Sequence, residues 1–186
     1  MRATVNEKRP ACLSGICPIR ATPVMMRQEI CSVDLLYLED LYVGRKFTSG
    51  SHVMEAARIK EFAAEFDPQP FHLDDRAARM SPFGGLVASG WHTAAVAMRL
   101  LVDGDLRIAN GLVGLGGDIA WPRPTRPGDV LRVESEIVEI TPSRSKPRGL
   151  VTVRSTMVNQ NGEAVYVLTA RLLVPRRSTH GAAGAA

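Results

Sequence analysis

The sequence predicts an α+β domain in which antiparallel strands wrap around one buried helix. Residues 89–102 have the pattern of a helix that is apolar on nearly every side, and such a helix must be enclosed by other elements. Residues 130–137, 150–158 and 164–174 each alternate apolar and polar side chains, as half-buried strands do. One buried helix followed by consecutive strands is typical of the α+β class.

Composition and charge limit the classes of function. With 186 residues, 45% of them hydrophobic, the chain is long enough for a domain with a sizeable core, and no apolar run reaches the length of a membrane span. The net charge of +4 comes from the two ends, because residues 31–174 carry 16 basic and 17 acidic side chains. A nucleic-acid-binding domain concentrates positive charge on its folded part, so that class is disfavoured, as is a membrane protein.

The cysteines and histidines predict neither a disulfide framework nor a metal site. Cys12, Cys17 and Cys31 are odd in number and lie near the start of the chain, with no histidine close by. The four histidines of the chain are too far apart in sequence to read as a metal cluster. We therefore expect no metal and a reduced, cytoplasmic setting.

The chain divides into three parts. Residues 1–35 lack periodicity and the apolar stretch of a secretory signal, so we expect a disordered extension or a segment upstream of a true start at Met25 or Met26. Residues 36–176 form the predicted domain, and residues 177–186 form a flexible tail.

Two elements are predicted before the central helix, a strand at 46–53 and a helix at 54–66. One face of this helix is apolar, with Ile59, Phe62, Ala63 and Phe66 at the spacing of successive turns. Pro68 and Pro70 push the residues before them out of the helical region, so the helix must end at Asp67 and both Asp67 and Gln69 should be extended. Residues 74–80 can form one or two further helical turns.

The central helix is expected to end at Gly104 with the left-handed backbone of a glycine cap. The glycine-rich residues 112–121 predict a strand with bulges, and the prolines of 122–129 predict a stiff loop. Residues 159–162 predict the hairpin turn between the last two strands.

The chemistry is concentrated at residues 67–93. Asp67 and His72 lie five residues apart and together could act as a general acid and base on a water molecule. A carboxylate at the end of a helix gains nothing from the helix dipole, which indicates a use other than stability. The glycine-rich entry to the central helix would present unpaired N–H groups to a developing oxyanion.

Three stretches of the sequence are similar to those of a known protein family. DPQPFHLD at 67–74, FGGLVASGWHT at 83–93 and PTRPGD at 124–129 resemble the MaoC-like dehydratase family, which includes the R-specific enoyl-CoA hydratases. The resemblance spans roughly residues 36–176. It implies a hot-dog fold, a homodimer or a dimer of such dimers, and reversible hydration of the α,β bond of an acyl-CoA. Coenzyme A would be part of the substrate, with no separate cofactor.

Position by position, the resemblance implies that Asp67 and His72 hold and activate the water, one taking its proton and the other supplying a proton to Cα. It implies that the N–H of Gly90 contacts the thioester carbonyl, with Ser89 and Gly85 beside it in the oxyanion and substrate site. Three residues depart from the family pattern: Gln69 in place of Asn, Ser89 in place of His and Met98 in place of Ser. We expect the hydrogen bond from position 69 to be longer or absent, and the network of supporting hydrogen bonds around the site to differ from that of the family.

Two other functions stay open, an acyl-thioester hydrolase on the same fold and a non-catalytic acyl-binding module. Asp74 is read as a helix cap or a brace for His72, and His92 and Trp91 as packing residues. Trp91 could instead line an acyl pocket. The basic residues of the proline-rich loops could hold phosphates or could be solvated charge: Arg123, Arg126, Lys146 and Arg148.

Overall fold

A computed structural model of the protein describes residues 34–177. The predicted N-terminal extension and C-terminal tail lie almost wholly outside this range, so the three-part division of the chain stays a prediction. None of the helices within 34–177 is both long enough and apolar enough to cross a membrane.

Five strands and four α-helices follow a single 3-10 turn at Leu38–Asp40. The elements are β1 (Lys46–Val53), α1 (Ala56–Phe66), α2 (Pro70–Leu73), α3 (Asp75–Met80), α4 (Gly90–Asp103), β2 (Val113–Ala120), β3 (Val130–Pro142), β4 (Arg148–Val158) and β5 (Ala164–Pro175). The strands form one antiparallel sheet in the order β1-β3-β4-β5-β2, with α4 packed against one face. The α+β class and the wrapped helix are confirmed.

The core has two clusters: α4 packs on Leu131 and Val133 in one, and Ile137 packs with Leu38 and Phe47 in the other. Leu131, Val133 and Ile137 of β3 alternate with exposed polar residues and are buried, as the sequence pattern predicts. Ile59 of α1 packs into the cluster that contains α4, and full burial of such a side chain stabilises the fold by about 1.5–3 kcal/mol. Ala63, on the same predicted face of α1, is also buried. Phe66, at the last turn of α1, is 63% exposed, and its ring centroid lies 5.0 Å from that of Phe62.

Glycines permit two close approaches in the fold. The register of β2 against β5 shifts between Gly114 and Gly117, which confirms a bulge, and a Cβ on Gly117 would lie 2.2 Å from the carbonyl oxygen of Thr169. The predicted left-handed cap at Gly104 is wrong, because its φ is −82°. Gly104 is instead required by space, since a Cβ there would lie 3.0 Å from the carbonyl oxygen of Thr48 on β1.

The expectation that other elements enclose α4 on nearly every side is wrong for the single chain. The sheet covers only one side of the helix, so Trp91, Met98 and Val102 are 60%, 47% and 58% exposed. Strand β2 lies at the edge of the sheet, and all of its residues are exposed. Residues 34–177 of one copy therefore leave an apolar helix face and an unpaired strand edge uncovered.

Candidate active site

The turn between α1 and α4 carries the acid and the imidazole. Helix α1 ends at Phe66, and the two residues that precede prolines leave the helical region, Asp67 at φ −151° and Gln69 at φ −83° with ψ 142°. The four-residue helix α2 then begins at Pro70, a position where proline suits a helix start, and contains His72. The sequence analysis did not predict this short helix, because its only signal is the proline itself.

The ring of His72 is buried and held by a backbone carbonyl. Its Nδ1 lies 2.8 Å from the carbonyl oxygen of Val87. A carbonyl can only accept, so Nδ1 carries the proton of this hydrogen bond, and Nε2 of the neutral ring is left as an acceptor. Nε2 lies 3.5 Å from Oδ2 of Asp67, which is an acceptor as well. Two acceptors therefore converge without a proton between them.

Both carboxylate oxygens of Asp67 accept hydrogen bonds. The hydroxyl of Ser89 donates to Oδ2 at 2.6 Å, and the side-chain amide of Gln69 donates to Oδ1 at 2.8 Å. The expectation of a long or absent bond from Gln69 is wrong, since its longer side chain reaches the carboxylate. The Ser89 bond, then the Gln69 bond, and then the nearby His72 lower the pKa of Asp67, against the opposing effect of burial.

The first turn of α4 lies beside this pair. Ser89 is the N-cap of the helix, and its hydroxyl accepts a hydrogen bond from the N–H of Trp91 at 3.1 Å. Within residues 34–177 the N–H of Gly90 donates to no protein group, as is usual for the first N–H of a helix. Such a group, at the positive end of the helix dipole, is suited to an oxyanion.

Trp121, which the sequence analysis did not select, packs on Gly90. The indole Nε1–H donates to the carbonyl oxygen of Gly90 at 2.9 Å. A Cβ on Gly90 would lie 3.0 Å from the indole ring, so a larger residue there would require the indole to shift. The two residues are 31 positions apart, and no local pattern marks the pair.

A cleft of about 640 Å³ joins these groups. Its wall is mainly apolar and aromatic, with Phe71, Phe83, Val87, Trp91 and Trp121 among the lining residues. Asp67, His72, Gly90 and Arg123 are the polar or backbone groups of interest that also line it. An enclosed wall with a few convergent polar groups is the usual form of a small-molecule site.

Two predicted site residues are not cleft-lining. Ser89 is fully buried behind the cleft and reaches it only through Asp67. Gly85 lies away from the pair, where a Cβ would face the side chain of Arg126 at 3.5 Å. Arg126 donates to the carbonyl oxygen of Phe83 and so holds the loop at the cleft rim.

The remaining candidates have structural contacts. Asp74 caps α3 by accepting from the N–H of Ala77 at 2.7 Å, as predicted. His92 stacks on Phe62 with the ring centroids 4.6 Å apart, which confirms a packing role, and its buried Nδ1 has no partner within the described residues. No cluster of potential metal ligands occurs in residues 34–177.

Comparison with known proteins finds a matching domain family and similar sequences. The model of the MaoC-like domain matches residues 42–159. The 3-hydroxybutyryl-CoA dehydratase of Methylorubrum extorquens is 33% identical over 119 residues, which are 61% of this chain and 71% of that protein. An uncharacterized protein of Bacillus subtilis is 29% identical over 143 residues, 75% of this chain and 99% of its own.

Solved structures agree on the fold. A crystal structure of a MaoC-like dehydratase from Rhodospirillum rubrum is 58% identical, with a TM-score of 0.75, over 77% of this chain and 99% of that one. The unliganded R-hydratase of Pseudomonas aeruginosa is 26% identical, with a TM-score of 0.60, over 76% of this chain and 86% of that one. The predicted hot-dog fold is confirmed.

Proposed function

Because the chain belongs to the MaoC-like domain family, we propose that it adds water to, or removes water from, the α,β bond of an acyl-CoA thioester. The observation that carries this proposal is the pair of acceptors, Nε2 of His72 and Oδ2 of Asp67, 3.5 Å apart in a cleft that Gly90 also lines. The relative named as a 3-hydroxybutyryl-CoA dehydratase supports the same class of reaction.

The two acceptors are suited to a single water molecule. A water has two hydrogens, so it can donate one to Nε2 of His72 and the other to Oδ2 of Asp67. Its lone pairs then point away from both residues and towards the cleft, where Cβ of an enoyl thioester would lie. Holding the nucleophile in this way replaces an encounter in solution with a fixed approach.

We assign both proton transfers to His72, whereas the resemblance implies that Asp67 and His72 share them. Its Nε2 takes a proton from the water as the water oxygen bonds to Cβ and the π electrons of the double bond move onto Cα and the thioester carbonyl. The resulting imidazolium then gives its proton to Cα, which leaves the hydroxyl on Cβ and a neutral ring; dehydration is the reverse. Asp67 is a weak base because the Ser89 and Gln69 bonds lower its pKa, so it stays ionised and stabilises the imidazolium.

The N–H of Gly90 completes the reaction. It would donate to the thioester oxygen and stabilise the negative charge that develops there, with the dipole of the 14-residue helix α4 acting in the same sense. The reaction needs no cofactor beyond the coenzyme A of the substrate. We place it in the cytoplasm, in keeping with the cysteine pattern.

A second copy of the chain is the occupant we propose for the uncovered apolar surface. This surface, the α4–β2 strip, consists of Trp91, Met98, Val102, Val113, Leu115 and Ile119, all at least 40% exposed. Met98 of α4 and the β2 residues Gly114 and Gly116 line one pocket, so the helix face and the edge strand are neighbours there. An edge strand and exposed apolar side chains are typical of an interface. A homodimer would cover both.

The test of the activity follows the loss of enoyl-thioester absorbance over a panel of short, branched and dicarboxylic acyl-CoA substrates. Wild type should hydrate at least one of them, and His72→Ala should lose about 10²- to 10⁴-fold in kcat/KM. His52→Ala, at an exposed histidine of β1, is the control and should keep full activity. Release of free thiol without hydration would indicate the hydrolase. If neither hydration nor thiol release is seen with any substrate, an acyl-binding module would be indicated.

A further inference from the structure

The hydroxyl of Ser89 has a role that its position before Gly90 does not reveal. The side chain is fully buried, with 0% exposure. Its oxygen accepts from the N–H of Trp91 at 3.1 Å, and its one proton is donated to Oδ2 of Asp67 at 2.6 Å. Since a hydroxyl has only one proton, Ser89 has none left for an oxyanion, and it does not line the cleft.

We propose that Ser89 is a positioning residue that ties the carboxylate of Asp67 to the first turn of α4, and so fixes the acid relative to the N–H of Gly90. This inference rests on the proposed hydratase function, in which the water held by Asp67 and the oxygen held by Gly90 belong to one substrate. Ser89 precedes Gly90 in the chain and follows Asp67 by 22 positions, so one hydroxyl joins the two halves of the site.

The need for such a tie follows from where Asp67 lies. Its backbone is the C-cap of α1, and the C-terminal end of a helix disfavours a nearby carboxylate. Ser89 brings that carboxylate to the N-terminus of α4, which favours negative charge. Gln69 holds the other oxygen at 2.8 Å, so Oδ2, the oxygen nearest to His72, is the one that Ser89 orients.

Few other charges act on this carboxylate. From α2 it faces His72, and from α4 it faces only the uncharged first turn of the helix. Arg123, from the loop after β2, lines the same cleft but is paired with Glu163 at 3.4 Å. Ser89 contributes most to lowering the pKa of Asp67, so removing its hydroxyl should raise that pKa.

The experiment compares Ser89→Ala with Ser89→Thr, which keeps a hydroxyl and a good N-cap. Ser89→Ala should lower kcat by about 10- to 100-fold, as expected for a lost hydrogen bond to a charged group, with little change in KM. The acid limb of its pH profile should move to higher pH, because Asp67 must be ionised and would now protonate sooner. Ser89→Thr should keep most of the activity and the wild-type limb.

Ser155→Ala is the matched control. Ser155 is also a buried serine, bonded to Ser135 at 2.8 Å within the sheet and outside the cleft. It should lower the unfolding temperature as Ser89→Ala does, but leave kcat and the pH profile unchanged. An equal loss of kcat in Ser155→Ala would overturn the proposal, because buried serines would then act only through stability.

A second measurement does not depend on turnover. Carboxyl-carbon NMR titration of the substrate-free protein should give a higher pKa for Asp67 in Ser89→Ala than in wild type or Ser89→Thr. An unchanged Asp67 pKa, or a raised KM with unchanged kcat, would overturn the positioning role. If wild type hydrates no substrate but the titration shifts as expected, the proposed function fails while the tie between Ser89 and Asp67 stands.

Discussion

His72 Nε2 lies 3.5 Å from Asp67 Oδ2, and the proton of the imidazole is on the other nitrogen, bonded to Val87. With a neutral imidazole, the pair is therefore arranged as two acceptors. An aspartate and a histidine with a purely structural role would usually be hydrogen-bonded directly to each other. The observed arrangement leaves both free to receive hydrogens from a third group.

Replacing Asp67 with asparagine should remove the charge that stabilises a protonated His72. We expect kcat/KM of Asp67→Asn to fall by about 10²- to 10⁴-fold, measured as hydration of the best enoyl-CoA of the panel. Asp74→Asn is the control. Asp74 lies seven positions after Asp67 and caps α3, and asparagine caps a helix as well as aspartate does, so this variant should keep its activity. Unchanged turnover in Asp67→Asn would contradict a role of this carboxylate in the reaction.

Adding a methyl group at Gly90 should disturb both the helix start and Trp121. The new Cβ would lie 3.0 Å from the indole, and such overpacking typically costs about 1–3 kcal/mol. We expect Gly90→Ala to unfold at lower denaturant concentration and to lose activity. Gly50→Ala, where no atom lies within 4 Å of the new Cβ, is the control.

A double variant separates steric cost from chemistry at the same position. Trp121→Leu should relieve the clash, so Gly90→Ala with Trp121→Leu should be less destabilised than the sum of the two single variants. Additive losses in the free energy of unfolding would show that the contact between Gly90 and Trp121 is not what requires glycine.

His92 should make the fold less stable in mild acid. Its burial, followed by the charges of Arg58 and His52, lowers the pKa of His92 below the usual value near 6.5. Between the native and unfolded pKa values the unfolded chain binds more protons, so stability falls as the pH drops below about 6.5, by at most about 1.4 kcal/mol per pH unit.

The comparison variant is His92→Phe, which keeps a ring on Phe62 and removes the unpartnered Nδ1. Urea unfolding at about pH 7.5 and about pH 5.5 should show that the free energy of unfolding falls less in His92→Phe than in wild type over this pH range. In His52→Gln, at an exposed histidine, the free energy of unfolding should fall by nearly as much as in wild type. An identical pH dependence in wild type and His92→Phe would contradict the prediction.

A charge on the α4–β2 strip should disrupt a dimer. Met98→Lys would bury an unpaired ammonium group at the proposed interface, and we expect its sedimentation mass to fall to that of one chain. Val138→Lys is matched in exposure, since Val138 and Met98 are both 47% exposed, but it lies on β3 outside the strip. A monomeric wild type, or a dimer in both variants, would exclude this strip as the interface.

Much of the architecture was readable in the sequence because local periodicity reports which face of an element is buried. The bounds of β1 agree with prediction, and those of α1, α4 and the later strands agree to within a few residues at most ends. Strand β3 extends five residues beyond the predicted Ile137, because its pairing with β4 continues after a bulge at residues 137–139. Partner strands, which are distant in sequence, decide such an end.

The sequence by itself determined the helix stop before Pro68, the nearness of Asp67 to His72 and the glycine at the head of α4. Each depends on neighbours within a few residues, where backbone restrictions and short spacings act directly. Only the tertiary structure decided that Val87 fixes the tautomer of His72, that Ser89 bonds Asp67 and that Trp121 covers Gly90. These contacts join residues 15 to 31 positions apart, and the packing of whole elements decides which of many polar and aromatic side chains meet.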